Sequence, residues 1–295
     1  MKTFIRTVLT SFVACSLALG QAEPSAENTT PENATLTAEQ TEQLWLSHMK
    51  ANYPAAKPEG STGQLGSYAT IKVGKGQLFL NGGDTNKLMM EAGNLSSQYA
   101  GGIEATDHSY TILFEFEAVG YIKDEDEIDA DAIMASFKDN DEANNKARRA
   151  QNLSTMTTEG WAIKPHYNST SNNLEYAIKF RDEDGSYFVN HFVKILGRRG
   201  VMNAVLICNP EELESLRPML ASTLDNYSYS SGQKYAEYKE GDKIAEYGLN
   251  GLIAGGVIFG AAKLGFFAKF WKVIVIGFVA VCGFFAKIKN KIFGS

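Results

Sequence analysis

Residues 187–208 read Tyr187-Phe-Val-Asn-His-Phe-Val-Lys-Ile-Leu196, Gly197-Arg-Arg-Gly200 and Val201-Met-Asn-Ala-Val-Leu-Ile-Cys208. Two runs rich in β-branched and aromatic residues flank a short glycine-containing turn, which is the pattern of a β-hairpin. Both runs carry apolar residues at successive positions, so both faces of each strand are expected to be covered. Such coverage is typical of strands in the centre of a sheet.

Three clear strands are predicted before this hairpin, in addition to two short ones near residues 68–73 and 77–80. Residues 160–167 form one, and apolar side chains alternate with polar ones along residues 174–180, ahead of a turn at residues 182–185. Residues 110–117 alternate in the same way. The last four strands follow one another with short turns, so we expect them to pair antiparallel.

Helices are predicted on both sides of these strands. The stretch Thr37-Ala-Glu-Gln40 is a capping box that opens a helix to about residue 50. Asn209 is a good cap for the final helix, and two more helices are predicted over residues 84–92 and from about residue 133 to residue 150. The predicted fold class is therefore α+β, an antiparallel sheet flanked by helices, with a C-terminal membrane helical segment added.

The two ends of the chain predict export and anchoring. Residues 1–22 have the basic start, apolar centre and small residues of a signal peptide, with an uncleaved N-terminal anchor as the alternative. Residues 23–35 are polar and are predicted to be a disordered lead-in. Residues 36–246 then form an extracytoplasmic α+β domain, and residues 247–295 form the membrane segment.

Charge separates the domain from the membrane segment. The chain has a net charge of −6, residues 247–295 carry +6, and residues 1–22 carry +2, which leaves −14 on residues 23–246. Nucleic-acid binding needs a basic surface, so no nucleic-acid partner is expected. Cys208 is the one cysteine between the two ends, and a single thiol forms no internal disulfide.

The membrane segment contains two apolar blocks, residues 249–262 and residues 273–286. Each is shorter than the roughly 20 residues that cross a bilayer. The second reaches that length as a main span over about residues 267–286. The predicted membrane-interface residues are Trp271, Lys269 and Lys272 at one side, and Lys287, Lys289 and Lys291 in a cytoplasmic basic tail at the other. A hairpin of two short helices, with the tail outside, is the alternative topology.

Glycines in the first apolar block form two pairs with small-x-x-x-small spacing, Gly251 with Gly255 and Gly256 with Gly260. Such pairs let two helices approach closely, which predicts a homo-oligomer. Glycine is also frequent in membrane helices in general, and that frequency is the alternative explanation.

The acidic stretch from Asp124 to Asp131 is the candidate metal site. Its aspartates supply the oxygen ligands that calcium prefers: Asp124, Asp126, Asp129 and Asp131. The alternative is a helix start, where the dipole favours acidic residues. No other cofactor is predicted. The four histidines are scattered and fall in no catalytic motif, so no catalytic residue is assigned.

Two polar segments each have two interpretations. Arg198-Arg199 is either a solvated hairpin turn or a contact for an anionic partner. Residues 235–248, which join the domain to the membrane segment, are either a structured collar at the membrane surface or a polar linker.

An ordered set of segments resembles a known family: residues 120–131, Gly160-Trp161, Pro165-His-Tyr167, residues 195–200 and residues 235–248. They are similar to the bacterial membrane-anchored family called domain of unknown function 2167, over roughly residues 62–292. The resemblance implies a signal peptide, an exported domain and a C-terminal membrane segment, and it implies no known activity. The strand-rich part is also similar to folds of the photosystem II extrinsic-protein type, which implies a sandwich of that kind.

Three functions are compatible with these features. The first is a membrane-anchored bacterial envelope protein, without enzymatic activity, whose domain faces the periplasm or the exterior and binds another envelope protein. The second is an envelope hydrolase or metal-dependent enzyme that combines the carboxylates of residues 124–131 with a histidine. The third is an oligomeric membrane assembly built on the glycine-rich block.

Overall fold

The computed structural model describes residues 37–125 and 127–254, apart from the side chains of Ala38 and Thr41. Its helices are α1 (Ala38–Asn52), α2 (Gly82–Glu91), α3 (Ala130–Arg149), α4 (Leu213–Leu224) and α5 (Leu249–Ile253). Its strands are β1 (Thr62–Leu65), β2 (Ala69–Lys72), β3 (Gln77–Asn81), β4 (Tyr99–Ala105), β5 (Thr111–Glu117), β6 (Met156–Asn168), β7 (Asn173–Asp182), β8 (Tyr187–Leu196), β9 (Val201–Cys208) and β10 (Tyr227–Tyr229).

Seven strands form one antiparallel sheet in the order β3-β4-β5-β9-β8-β7-β6. The run β6 to β9 pairs each strand with its neighbour along the chain, which confirms the predicted series of four strands. Strand β9 lies in the centre between β5 and β8, and its four consecutive residues Val201 to Ala204 are all buried. The prediction of a central strand covered on both faces is therefore confirmed for β9.

One face of this sheet packs against a second, smaller sheet and against α4. The small sheet has the antiparallel order β1-β2-β10. Residues that pair directly across antiparallel strands point to the same face. The cluster on this face joins Phe79, Ile103, Ile112 and Leu206 of the large sheet to Leu65 and Ile71 of the small sheet and to Leu220 of α4.

The opposite face is covered by helices. Trp45 and Met49 of α1, together with Tyr53 directly after it, pack with Leu80 of β3 and Leu88 of α2. Further along the sheet, the indole Nε1 of Trp161 on β6 donates a hydrogen bond to the carbonyl of Ala130 in α3 at 3.1 Å. The protein is therefore an α+β fold in which helices flank antiparallel sheets.

Two predicted helix starts are confirmed at the level of their hydrogen bonds. The Gln40 amide donates to the Thr37 hydroxyl at 3.2 Å, and the Thr37 amide donates to the Gln40 side chain at 2.9 Å. The Asn209 amide donates to the Glu212 carboxylate at 3.3 Å, which is one of the two bonds of a capping box. A single 3-10 turn over Pro210–Glu212 precedes α4. These caps are local features, which is why the sequence predicts them.

Within residues 37–125 and 127–254, no helix is both long enough and apolar enough to cross a bilayer. The predicted signal peptide, the lead-in and the main span at residues 267–286 lie outside the described residues. So do the predicted membrane-interface residues, and so do Asp126, Gly255, Gly256 and Gly260.

Candidate functional site

Residues 235–248, called the collar from here on, are an ordered part of the domain. They run beside residues 118–129, called the strap, which joins β5 to α3. The Tyr121 amide donates to the Lys243 carbonyl at 2.8 Å, and the Ala245 amide donates to the Tyr121 carbonyl at 2.9 Å. The interpretation of a structured collar is therefore confirmed over that of a polar linker, while its place at a membrane surface stays a prediction.

Gly120 permits the close approach of strap and collar. Its φ is +103°, in the region that favours glycine. A Cβ atom at this position would lie 2.7 Å from the Lys243 carbonyl oxygen. The backbone pairing between strap and collar therefore depends on a glycine at residue 120.

Arg198, in the turn between β8 and β9, fixes the collar from the other side. Its Nε lies 2.6 Å from one oxygen of Asp242 and its second nitrogen lies 2.8 Å from the other, a bidentate pair. The two side chains are 11% and 15% exposed. Hydrogen bonds from Arg198, and a further one from the Lys239 amide, lower the pKa of Asp242 to about 2. The solvated-turn interpretation is wrong for Arg198 and holds for the exposed Arg199.

Three tyrosine rings meet where the strap crosses the collar. The Tyr121 ring stacks on the Tyr235 ring, with the two centroids 4.4 Å apart. The centroid of the Tyr238 ring also lies 4.4 Å from that of Tyr121. The Tyr235 hydroxyl donates to the Ile122 carbonyl at 2.8 Å. Burial raises the pKa of the Tyr235 hydroxyl, and so does the hydrogen bond between the side chains of Tyr235 and Tyr121. The hydroxyl therefore stays protonated and acts as a donor.

The acidic stretch is divided among separate partners. Asp124 accepts a hydrogen bond from the Tyr167 hydroxyl at 2.9 Å, and Asp129 accepts from the Ala132 amide at 3.0 Å as the cap of α3. The Asp131 carboxylate, which is 90% exposed, lies 3.8 Å from Lys164. These placements match the helix-start alternative for Asp129 and Asp131. Among the described residues, no group of three histidine, cysteine or acidic side chains has the arrangement of a metal site.

Helix α5 is attached to the strap directly beyond the collar. The Asn250 side chain donates to the Glu127 carbonyl at 2.7 Å and accepts from the Asp129 amide at 2.9 Å. Three apolar residues of α5 are buried, namely Leu249, Leu252 and Ile253. A Cβ at Gly251 would lie 2.6 Å from the Tyr247 side chain. The start of the predicted glycine-rich block is thus part of the folded domain.

A second polar cluster lies on the face of the large sheet that packs against α4. Glu175 on β7 places one carboxylate oxygen 2.8 Å from His191 Nε2 and the other 3.2 Å from His166 Nε2. Arg217 of α4 approaches Glu175 at 3.3 Å. The hydrogen bond from His191 is the main cause that lowers the pKa of Glu175 to about 2. The sequence pattern did not reveal this cluster, since it depends on the register of three strands and on the orientation of α4.

The sheet separates this cluster from the acidic stretch. His166 pairs directly with Glu175, while the next residue, Tyr167, pairs with Leu174. Successive side chains of a strand point to opposite faces. Tyr167 therefore reaches Asp124 on one face, while His166 and His191 reach Glu175 on the other. A site that combines Asp124 with either of these histidines, as the enzyme hypothesis requires, is not formed.

A surface groove of about 570 Å³ lies beside the small sheet. Tyr68 and Phe116 line it with rings stacked 3.6 Å apart, and the Ser97 hydroxyl donates to Glu115 at 2.8 Å. The lining therefore combines two aromatic rings with a carboxylate and hydroxyls. No sequence pattern predicts this groove, because its walls come from segments far apart in the chain.

The segments that resemble the family meet in one region. The strap, Tyr167, the turn with Arg198 and the collar are all joined by the contacts described above. The family model for proteins of unknown function named DUF2167 matches residues 57–286. The chain therefore belongs to this family.

Comparison with curated proteins gives no match. Among solved structures, the chain is similar to the solution structure of cyanobacterial PsbP (CyanoP) from Synechocystis sp. PCC 6803. The sequence identity is 8%, the match covers 58% of this chain and 94% of that chain, and the TM-score is 0.34. A likeness at this level carries no argument about function, and the photosystem-type sandwich stays a prediction.

Proposed function

We propose that this member of the DUF2167 family is a membrane-anchored protein of the bacterial envelope, whose domain binds a partner without catalysing a reaction. The observation that supports anchoring is the attachment of α5 through Asn250. This attachment holds the chain at residue 254, directly before residues 255–295, which are largely apolar and contain no acidic residue. A domain fixed at this point is well suited to an anchor that follows it.

The proposed topology has one main span over about residues 267–286. The lysines at residues 287, 289 and 291 then lie in the cytoplasm, in agreement with the positive-inside rule. Trp271, Lys269 and Lys272 lie at the outer interface. The signal peptide places the domain in the periplasm or the exterior. Gly255, Gly256 and Gly260 are the proposed contacts of a homo-oligomer.

Fusion of a fluorescent protein to Ser295 tests this topology in living cells. Green fluorescent protein folds in the cytoplasm and not after export through the general secretion route, so we expect a fluorescent fusion. A matched fusion at residue 254, which lacks the apolar segment, is expected to be dark. The full chain is also expected to stay in the membrane pellet after alkaline carbonate extraction. A dark Ser295 fusion with a pelleted chain would favour the hairpin topology, and extraction of the full chain would contradict anchoring.

The separation of Asp124 from His166 and His191 by the sheet supports a binding role over a hydrolytic one. The groove beside Tyr68, Phe116 and Glu115 is the proposed place of binding. A photo-crosslinking residue at Gln98, which lines the groove and is exposed, is expected to yield one defined adduct in intact cells. The control is the same residue at Met90, which is 53% exposed and lies outside the groove. Equal adducts at both positions would contradict a specific partner in the groove.

A further inference from the structure

The described part of the domain exposes few large apolar side chains, and two of them lie in the collar. Tyr238 is 37% exposed and Ile244 is 42% exposed. The others are Leu44, Met90 and Tyr187. Both collar residues adjoin Tyr121: the Tyr238 ring lies 4.4 Å from the Tyr121 ring, and Ile244 forms a backbone bridge with Tyr121. The strap therefore holds both exposed side chains at one place.

These side chains are presented by a fixed backbone. The hydrogen bonds between Tyr121 and residues 243 and 245 enclose Ile244 on both sides. Tyr238 follows the 3-10 turn Tyr235–Glu237, and its amide donates to the Tyr235 carbonyl at 3.3 Å. A surface whose apolar groups are already ordered loses little conformational entropy when it is covered.

Between the two side chains lie two lysines, one acid that is compensated and one acid that is not. Asp242, which lies between them in sequence, is neutralised by the bidentate contact with Arg198. Lys239 and Lys243 are exposed, and among the described contacts neither amino group has an ion-pair partner. Glu240 is the one uncompensated acid between Tyr238 and Ile244. An aromatic ring, an aliphatic side chain and two free lysines form a combination suited to the boundary between lipid headgroups and acyl chains.

The course of the chain identifies what covers this surface. Residue 254 is ten positions beyond Ile244, and the proposed main span begins at about residue 267. The strap contacts both the collar at Lys243 and the chain exit at Asn250. The strap therefore joins the collar surface to the point from which the chain continues towards the proposed span.

We infer that residues 238–244 form a lipid-contact surface, on which Tyr238 and Ile244 enter the bilayer interface while Lys239 and Lys243 contact anionic headgroups. This inference rests on the proposed anchoring. It adds that the domain lies against the membrane through a defined side, and is not merely held near it by the anchor.

The full chain in vesicles of equal parts phosphatidylcholine and phosphatidylglycerol is the sample that tests this inference. Benzoylphenylalanine is placed singly at residue 238 or residue 244, and adducts are identified by mass spectrometry after illumination. We expect lipid adducts at both positions, several-fold more abundant than at residue 187. Tyr187 is a matched control, because it is 42% exposed and begins β8 at the end opposite the turn with Arg198.

Two readouts keep the outcomes distinct. Carbonate extraction of the same vesicles reports anchoring, so a chain that is extracted contradicts the proposed function. If the chain stays in the vesicles but residues 238 and 244 yield no lipid adduct, or crosslink to a second copy, the lipid-contact surface is wrong and anchoring stands. The double substitution Lys239→Gln and Lys243→Gln is expected to abolish the preference for phosphatidylglycerol in the adducts. An unchanged preference would contradict the role of these lysines.

Discussion

Glu175 on the sheet and Asp242 in the collar are both carboxylates whose pKa is lowered to about 2, yet their partners differ. Glu175 contacts His166, His191 and Arg217, which come from two strands and a helix of the same core. Asp242 contacts Arg198 through two hydrogen bonds between two loops. The first carboxylate joins elements that also pack together, whereas the second secures a segment with little apolar burial of its own. We therefore expect loss of the first to affect global stability and loss of the second to affect the collar alone.

The largest effect is expected from Gly120→Ala, which strains the backbone of the strap itself and opposes its pairing with the collar. The substitution combines a φ of +103° with a contact of 2.7 Å to the Lys243 carbonyl. Such strain costs about 1–3 kcal/mol of the free energy of unfolding. Denaturant unfolding of the full chain in detergent measures it.

Gly185→Ala is the matched control for Gly120→Ala. Its φ is +85°, but no atom lies within 4 Å of the added Cβ. It reports the conformational cost alone, so the difference between the two variants measures the contact between strap and collar. Equal losses would show that the collar yields to the added methyl group without cost.

Glu175→Gln is expected to lower the free energy of unfolding by about 1–2 kcal/mol near neutral pH. Hydrogen bonds to charged groups contribute about 1.5–3 kcal/mol to stability. The contribution is expected to be smaller here, because the Glu175 side chain is 25% exposed to solvent. His191, which is 2% exposed, loses its charged acceptor. The control is Glu214→Gln, since Glu214 also faces Arg217, at 3.6 Å, but is 79% exposed. A loss in the control as large as in Glu175→Gln would contradict the role assigned to Glu175.

The effect of Glu175 is also expected to depend on pH. Its pKa is about 2 in the folded chain against an ordinary 4.5. A lowered carboxylate pKa stabilises the fold above the ordinary value, and this contribution is lost as the pH falls toward the folded value. The stability difference between the wild type and Glu175→Gln is therefore full above about pH 5 and shrinks toward about pH 2. A difference that grows on acidification would contradict this direction.

Arg198→Lys is expected to have a smaller, local effect. Lysine keeps the charge but cannot form the bidentate contact with Asp242. Hydrogen exchange at the amides of Tyr121 and Ala245 should become faster by about an order of magnitude, with global unfolding little changed. Arg199→Lys, in the same turn but exposed, should leave both exchange rates unchanged. Equal effects at the two arginines would remove the distinction between them.

The two regions also differ in how far the sequence predicts them. Strands β6 to β9 and the caps at Thr37 and Asn209 follow from alternation and local hydrogen bonding, which act over a few residues. The contact between Arg198 and Asp242 spans 44 residues and lies between two loops, so no periodic pattern reveals it. Glu175 is recognisable as a polar position of β7, but its partners depend on strand register and on which side of α4 faces the sheet. Long-range polar contacts are set by the assembled fold, and short-range patterns do not encode them.

The smallest effect is expected from Asp131→Asn, which tests the acidic stretch itself. Its ion pair with Lys164 spans 3.8 Å between side chains that are 90% and 72% exposed, and such pairs contribute little. Asp131 also lies in the first turn of α3, where a negative charge is favourable. We expect the two contributions together to lower the free energy of unfolding by less than about 1 kcal/mol. Calcium in the millimolar range should not alter this loss, because Asp124, Asp129 and Asp131 each face a different partner. If calcium raises the melting temperature of the wild type and Asp131→Asn abolishes that rise, the aspartates bind the ion jointly. The metal-dependent alternative would then replace the helix-start explanation of this stretch.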